Sequence, residues 1–336
     1  MSQKQPLLQV ENLQVNFEIF PSNAWPWSRP ALLRAVNDVS FTLDEGETLG
    51  IVGESGCGKS TLARAIMGMV PSQGGTVVWM GENLLKLSAK QLRSRRRRLQ
   101  MVFQDPLASL SPRMTIGDII AEPLRTHYPD IKGAELREKV DALMDKVGLH
   151  SHQKNRYPHE FSGGQCQRVG IARALILEPK LIICDEPVSA LDVSVQAQVI
   201  NLLKNLQREM GLSLIFIAHD LSVVKHISDR VMVLYLGNVV ESASRTDLYA
   251  SPKHPYTRAL MTAVPIPDPD RERAKPRVIL DGDLPSPMDP PSGCVFRTRC
   301  PLATEYCSKG VPVLEDKTGA GHRVACHYVK KEGDQN

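Results

Sequence analysis

The strongest constraint on the fold of this chain is a glycine-rich segment at residues 53–61, GESGCGKST, which fits the pattern G-x-x-x-x-G-K-[ST]. An apolar run at 48–52 predicts a buried strand before it, and residues 62–67 predict a helix after it. Glycines let the backbone curl, so successive N–H groups at such a turn can point inward and form a nest for phosphate oxygens. The positive end of the helix dipole adds to this attraction. The segment therefore predicts a nucleotide-binding P-loop.

Two side chains of this loop have separate predicted tasks. Lys59 is expected to reach the β- and γ-phosphates of the nucleotide, and the Ser60 hydroxyl is expected to hold Mg²⁺. The competing interpretation is an ordinary glycine-rich turn with a surface lysine, which the flanking strand and helix disfavour. The predicted nucleotide-binding residues of the loop are Gly53, Ser55, Gly56, Cys57, Gly58, Lys59, Ser60 and Thr61.

Charge balance and hydropathy exclude several other classes of protein. The chain has 336 residues, 42% of them hydrophobic, which is enough for about two domains. Its 41 basic and 37 acidic residues are too balanced to predict nucleic acid binding, and the run Arg93 with 95–98 is interpreted as a solvated helix face. Residues 1–10 have no signal-peptide pattern, and no apolar run reaches the ~20 residues of a membrane-spanning helix. We therefore expect a cytoplasmic location, with cysteines that are reduced or bind metal.

After the P-loop, short apolar runs alternate with helical patterns. This alternation predicts an α/β fold with a largely parallel sheet. Beyond about residue 252 the apolar periodicity fades, and Pro-rich stretches surround four cysteines. We expect one nucleotide-binding domain at 7–255, with a helical part at about 105–178, and a C-terminal module at 256–336.

A pair of carboxylates, Asp185 and Glu186, follows the apolar run 181–184. P-loop enzymes place such Walker B residues at the end of a buried strand, where Asp185 would hold Mg²⁺ and Glu186 would polarise the attacking water. An Asp-Glu pair after an apolar run means little by itself. Because it follows a P-loop in the same chain, it supports a nucleotide-hydrolysing enzyme.

A second candidate anion site begins at Ser162, in the stretch FSGGQ at residues 161–165. Ser162 is expected to cap a helix, and the two glycines leave the backbone N–H groups of its first turn accessible. An ordinary capped helix start is the alternative interpretation. With these five residues the chain resembles the ATP-binding cassette (ABC) family, whose signature is LSGGQ; Phe161 replaces the leucine. The predicted signature residues are Ser162, Gly163, Gly164 and Gln165.

The other landmarks of the ABC family follow in order. Gln104 matches the Q-loop glutamine, Asp192 ends the D-loop, and His219 matches the switch histidine. Phe17 is the best match to the aromatic residue that stacks on adenine. Its nearby competitors are Phe20, Trp25 and Trp27.

The resemblance implies a P-loop NTPase fold of the ABC type, with a RecA-like core, an α-helical subdomain and a β-subdomain. It also implies that ATP and Mg²⁺ are bound, and that the signature of one cassette contacts the ATP of a partner cassette. The implied catalytic residues are Glu186, His219 and Lys59, and the implied Mg²⁺ contacts are Ser60, Gln104 and Asp185.

Five further stretches are similar to the oligopeptide/dipeptide/nickel importers within this family, most of all to the second ATPase subunit of oligopeptide importers. They lie at residues 103–113, 156–159, 254–257, 284–287 and 290–294. This resemblance implies an ATPase at the cytoplasmic face of the inner membrane that powers oligopeptide uptake. The implied partners are a paralogous ATPase subunit, two integral-membrane permease subunits and an extracytoplasmic peptide-binding protein. Import of dipeptides, nickel or another small solute is the alternative, and a soluble non-transport ABC ATPase is a remote one.

The four cysteines of the C-terminal module predict a metal site rather than disulfides, because the expected compartment is reducing. Four thiolates suit either zinc or an iron–sulfur cluster. The resemblance to the importer subfamily favours a [4Fe–4S] cluster over zinc. The predicted ligands are Cys294, Cys300, Cys307 and Cys326.

Overall fold

The computed structural model describes residues 5–20, 30–131, 133–264, 270, 273, 280 and 282–329. The chain divides into two compact units. The first is formed by residues 5–7, Leu43–Thr48 and Lys86–Ala218, and the second by Leu8–Thr42, Leu49–Leu85 and the described residues from His219 onward.

In chain order, the strands of the described part are β1 (Leu8–Ile19), β2 (Ala31–Leu43), β3 (Thr48–Val52), β4 (Gly74–Trp79), β5 (Glu82–Asn83), β6 (Leu99–Val102), β7 (Leu181–Asp185), β8 (Ser213–Ala218), β9 (Arg230–Tyr235), β10 (Asn238–Ser244), β11 (Glu315–Asp316) and β12 (Arg323–Val324). The helices are α1 (Lys59–Ile66), α2 (Ala89–Arg95), α3 (Ile116–His127), α4 (Gly133–Lys146), α5 (Gly163–Leu175), α6 (Val193–Met210), α7 (Leu221–Ile227), α8 (Arg245–Ala250), α9 (Pro255–Ala263) and α10 (Tyr306–Lys309).

The first unit is built on a parallel sheet with the strand order β6, β7, β8. Every residue of β7 and β8 is buried, as expected for parallel strands covered on both faces. Helices α3, α4 and α5 pack together beside it. The apolar residues of α4 recur at i, i+4, i+7 and i+8, a spacing that predicts one face of a helix, and all four are buried: Leu136, Val140, Leu143 and Met144. Strand β7 ends at Asp185, and Glu186 follows it, so these two carboxylates of the candidate site lie at the carboxyl edge of the sheet.

The second unit contains two sheets. In one, the order is β11, β12, β10, β9, β3, with β3 parallel to β9 and the other pairs antiparallel. In the other, β2, β1, β4 and β5 form a four-stranded sheet. Strand β12 pairs with β10 through Glu241 opposite Val324, so the end of the chain extends the sheet that contains β3. The residues around β12 therefore belong to the same sheet as β3, the strand that leads into the P-loop, with β10 and β9 between them.

The first two strands are longer than the sequence predicts, and some elements are not expected from the sequence. The sequence predicts a strand that ends at Phe17 and another over residues 35–43, whereas β1 continues to Ile19 and β2 begins at Ala31. The strands β10 and β12 have no predicted counterpart. In the part of the chain that the structure describes, no helix is long and apolar enough to cross a membrane.

Candidate active site

The P-loop lies between β3 and α1, in the second unit. Gly56 and Gly58 have φ values of +80° and +103°, which side chains with a Cβ rarely adopt. A Cβ on Gly53 would lie 2.3 Å from the carbonyl oxygen of Leu234, and one on Gly58 would lie 2.1 Å from that of Ala35. Gly58 is therefore required for both the backbone conformation and the space, Gly56 for the conformation, and Gly53 for the space.

Lys59, the first residue of α1, is 4% exposed. Its Nζ donates to the carbonyl oxygens of Gly53, at 2.8 Å, and of Glu54, at 3.0 Å. The ammonium group thus lies inside the curve of the loop. No acidic side chain lies in the first turn of α1, so the loop and the helix dipole together give a positive potential suited to phosphate.

The opposite side of the loop is held by the C-terminal part of the second unit. Tyr256 Oη accepts from the backbone N–H of Glu54 at 2.9 Å, and Arg299 Nη1 donates to the Glu54 carboxylate at 2.7 Å. No sequence pattern predicts a role for these three residues. The only signal was the stretch that begins at His254, which resembles the importer subfamily but does not indicate a contact with the P-loop.

The carboxylates Asp185 and Glu186 lie at the end of β7, in the first unit. Asp185 is 1% exposed, and Glu186 has a φ of +45°, a strained conformation for a residue with a Cβ. Gln104 Nε2 donates to Glu186 Oε2 at 3.0 Å, so the predicted Q-loop and Walker B residues are in contact. The backbone N–H of Glu186 donates to Ile217 of β8 at 3.1 Å. Strand pairing and the Gln104 amide together fix the direction of the Glu186 carboxylate.

Ser162 caps α5, as predicted, with a reciprocal capping box. The backbone N–H of Gln165 donates to Ser162 Oγ at 3.3 Å, and the backbone N–H of Ser162 donates to Gln165 Oε1 at 2.9 Å. Ser162 and Gly163 are exposed, whereas Gly164 is buried. A Cβ on Gly164 would lie 2.4 Å from Val195 Cγ1 of α6. The turn therefore presents its first two residues at the surface of the first unit.

The remaining predicted residues lie on loops or on an exposed strand. Asp192 is the exposed N-cap of α6, and the adjacent Val193 is 82% exposed. His219 follows β8 directly and is exposed. Phe17, on β1, is 37% exposed. Of its competitors, Phe20 is more exposed, at 61%, and Trp25 and Trp27 lie outside the described residues.

The four cysteines of the C-terminal module are free thiols. Burial, together with the nearby Cys307, Cys326 and Cys300, raises the pKa of Cys294 to about 11, so the sulfur atoms are close enough to interact. The predicted iron–sulfur or zinc site is nevertheless not supported. Among the described residues, no group of three or more His, Cys, Asp or Glu side chains is arranged to hold a metal ion.

Comparisons with known proteins agree with this geometry. The family described as ABC transporter matches residues 36–189, and the family described as oligopeptide/dipeptide transporter, C-terminal region, matches residues 240–307. The chain is 64% identical to the oligopeptide transport ATP-binding protein OppF of Escherichia coli (strain K12), over 96% of both chains. It is 62% identical to the protein of the same name from Salmonella typhimurium (strain LT2), over 98% of both.

Among solved structures, the dimeric post-hydrolysis state of the ATP-binding cassette MJ0796 bound to ADP and Pi is similar, with a TM-score of 0.63 and 28% identity. That match covers 71% of this chain and 98% of the other. Both the predicted P-loop fold and the resemblance drawn from the signature turn are thereby confirmed, and the chain belongs to the ABC transporter family.

Proposed function

We propose that this chain is the ATP-hydrolysing subunit of a membrane importer for oligopeptides. The observation that carries the proposal is the 3.0 Å hydrogen bond from Gln104 Nε2 to Glu186 Oε2, at the end of the buried strand β7. It orients the carboxylate that the reaction needs, and it joins that carboxylate to the segment after β6. This segment, residues 103–113, is also the longest stretch that resembles the importer subfamily.

In the proposed reaction, water attacks the γ-phosphate in line with the leaving ADP. Glu186 orients and polarises that water, and Lys59 offsets the charge that develops on the phosphate oxygens. His219 contacts the γ-phosphate, and Phe17 stacks on adenine. Ser60, Gln104 and Asp185 would hold Mg²⁺, which supplies further charge neutralisation when bound. The remaining P-loop contacts to ATP come from Gly53, Ser55, Gly56, Cys57, Gly58 and Thr61.

The signature turn is proposed to act on the ATP of a second cassette. Ser162 and Gly163 are exposed at the start of α5, where backbone N–H groups and the helix dipole favour an anion. Gly164 and Gln165 maintain the turn, and Asp192 lies beside the exposed Val193 on a neighbouring helix start. The partner cassette is a paralogous subunit. The complex further contains two permease subunits and an extracytoplasmic binding protein, and this chain lies at the cytoplasmic face of the inner membrane.

Oligopeptides are the proposed cargo because the relatives with more than 60% identity carry that word in their names. The family that matches the C-terminal residues is described for both oligopeptides and dipeptides, so dipeptides are the second candidate. The division into a nucleotide-binding domain at 7–255 and a module at 256–336 is part of the same proposal.

A Glu186→Gln variant tests the assignment of the reaction. The amide cannot polarise water as a carboxylate does, so ATP hydrolysis by the assembled complex should fall by about 10²–10³-fold. ATP binding should persist, because the P-loop is unchanged. Steady-state hydrolysis near that of the wild type would remove Glu186 from its proposed role.

For the C-terminal module, a metal site at Cys294, Cys300, Cys307 and Cys326 also belongs to the proposal, with [4Fe–4S] favoured and zinc as the alternative. It is supported by four free thiols in one segment whose charges influence one another. Protein purified without oxygen should contain iron, and any one Cys→Ser change at these positions should remove it, whereas Cys57→Ser should not. Zinc without iron would replace the cluster with a zinc site, and neither metal would end this part of the proposal.

A further inference from the structure

The N–H, carbonyl and carboxylate groups of Glu54, the second residue of the P-loop, all have hydrogen-bonding partners. Its N–H donates to Tyr256 Oη at 2.9 Å, and its carboxylate accepts from Arg299 Nη1 at 2.7 Å. Its carbonyl oxygen accepts from Lys59 Nζ at 3.0 Å. Two of these partners lie 202 and 245 positions further along the chain. The conformation of the loop therefore depends on the C-terminal part of the second unit.

Arg299 is itself firmly placed. Its backbone N–H donates to the carbonyl oxygen of Phe296 at 3.1 Å, and Phe296 is 1% exposed. The Phe296 ring lies 5.2 Å from that of Tyr235 and 5.4 Å from that of Tyr256, with tilted or edge-on geometry. Since Tyr256 holds the N–H of Glu54, one aromatic cluster supports both contacts to the P-loop.

The Arg299–Glu54 ion pair is largely removed from water. The side chains are 10% and 27% exposed, so the pair is less screened than a surface salt bridge. Burial alone would lower the pKa of Arg299, but the Glu54 carboxylate and the Tyr235 hydroxyl outweigh it and raise that pKa. The guanidinium is thus charged, and its removal would leave a partly buried carboxylate without its counter-charge.

The charge on Glu54 acts on the rest of the loop. Burial is the main cause of the raised pKa of the Cys57 thiol and of the Tyr256 hydroxyl, and the Glu54 charge raises both further. A carboxylate that disfavours nearby negative charge would also disfavour the phosphates of ATP. Neutralisation by Arg299 offsets that repulsion.

We infer that Arg299 is a positioning residue of the nucleotide site, which acts through Glu54 to neutralise and fix the P-loop for a triphosphate. The inference rests on the proposed nucleotide-binding role of the P-loop and extends it to the C-terminal module. The module then contributes to ATP affinity, in addition to extending the sheet.

Binding of MgATP to the full-length chain, measured by titration calorimetry, tests the inference. Arg299→Ala should weaken binding by about tenfold, because an uncompensated carboxylate on the P-loop would repel the phosphates. Glu54→Gln should bind as tightly as the wild type or more tightly, because it removes that negative charge. The double variant Glu54→Gln/Arg299→Ala should return to within about threefold of the wild type. A merely structural role for Arg299 would not give this rescue.

Arg297→Ala is the matched control. Arg297 lies in the same module, but its Nε donates to the Ser292 carbonyl oxygen at 2.8 Å, so its removal should leave MgATP affinity unchanged. Thermal unfolding of each variant establishes that it is folded. Arg299→Lys, which keeps the charge but loses the planar fork, should fall between the wild type and Arg299→Ala.

A folded Arg299→Ala variant with wild-type affinity would overturn the inference, as would a double variant that binds no better than Arg299→Ala. If Arg299→Ala does not fold, Glu54→Gln decides: weaker binding than the wild type overturns the inference, and equal or tighter binding supports it. A wild-type chain that does not bind MgATP would instead refute the proposed function.

Discussion

The P-loop and the signature turn both place glycines at the start of a helix, yet their surroundings differ. Around the P-loop, the buried Lys59 and the distant Tyr256 hold the backbone, and the distant Arg299 holds the Glu54 carboxylate. Around the signature turn, Ser162 and Gln165 hold each other, and Ser162 and Gly163 are exposed. The P-loop thus draws its support from within its own unit, whereas the signature turn presents a surface that a second molecule can meet.

The caps of the two helices show the same contrast. Gly58, the N-cap of α1, has no side chain that could accept from the first turn of its helix. Ser162, the N-cap of α5, accepts from Gln165 and so satisfies part of its own turn. A bound anion is therefore worth more to the P-loop than to the signature turn. We expect the P-loop to dominate affinity for nucleotide and the signature turn to contribute mainly when two cassettes meet.

The largest expected effects distinguish MgATP binding from ATP hydrolysis. Lys59→Ala should weaken MgATP binding by the full-length chain by about 100-fold, because it removes charged hydrogen bonds in a buried position. Ser162→Arg should leave that binding within about twofold, but it should lower hydrolysis by the assembled complex at least about tenfold by crowding the partner's phosphate site. Titration calorimetry on the chain and phosphate release by the complex measure the two quantities.

The proposed difference between the P-loop and the signature turn would be wrong if Ser162→Arg weakened MgATP binding by the isolated chain as much as Lys59→Ala does. This difference would also be contradicted if Ser162→Arg left ATP hydrolysis by the complex unchanged. Rapid hydrolysis by isolated, dilute chains would argue that a single copy holds a complete site.

A smaller effect is expected from alanine at the two crowded glycines. At Gly58 the added Cβ meets the backbone oxygen of Ala35 at 2.1 Å, and φ is +103°, so the backbone must move and the cost should be at least about 3 kcal/mol. At Gly164 the Cβ meets a side-chain methyl of Val195 at 2.4 Å, which can shift, so about 1–2 kcal/mol is expected. Urea unfolding measures both changes.

A second substitution sharpens this difference. Val195→Ala removes the methyl group that Gly164→Ala would meet, so the double variant should be more stable than the sum of the two single changes predicts. No side-chain truncation can relieve Gly58→Ala, because its obstacle is a carbonyl oxygen. Additive energies at Gly164 and Val195 would contradict the steric explanation.

The features that could be predicted from the sequence are those with a local pattern. Glycine spacing indicates the P-loop, an apolar run before two carboxylates indicates β7, and helical spacing indicates the buried stripe of α4. Strand β12 could not be predicted, because two residues have no period, and its partner β10 lies about 80 residues away. The positive φ of Glu186 also has no signal in the residue type, since a carboxylate seldom adopts it.

The P-loop could therefore be predicted from the sequence, whereas its contacts with Tyr256 and Arg299 could not. The pair between Glu54 and Arg299 joins residues 245 positions apart, each of which is ordinary in its own segment. Phe296 packs with Tyr235 of β9 and Tyr256 of α9 into one buried cluster. Three aromatic residues scattered over a chain form no periodic pattern. Only the fold brings them together.

The smallest expected effect is a loss of stability in acid that affects the P-loop and α9 but not the signature turn. Burial lowers the pKa of His254 to about 4, although the nearby Glu241 carboxylate acts in the opposite direction. His254 caps α9 by accepting from the backbone N–H of Tyr256 at 3.1 Å, a contact that requires the neutral ring. A histidine with a pKa near 4 when folded and about 6.5 when unfolded takes up its proton more readily in the unfolded chain. Stability should therefore fall as the pH drops from about 7 toward 4.

At pH 5.5 the expected loss relative to pH 7 is about 1 kcal/mol. Burial opposes ionisation of Glu241, but the hydrogen bonds of His322 and its other partners lower the pKa of this carboxylate, which stays charged there. Amide hydrogen exchange at pH 5.5 should show faster opening of α9 and residues 53–57, after correction for the intrinsic rate. The signature turn has no titratable group in its cap and should keep its protection.

His254→Asn keeps an acceptor at the N-cap and should abolish the difference between the two turns. Equal loss of protection at both turns in the wild type would show that acid loosens the molecule as a whole.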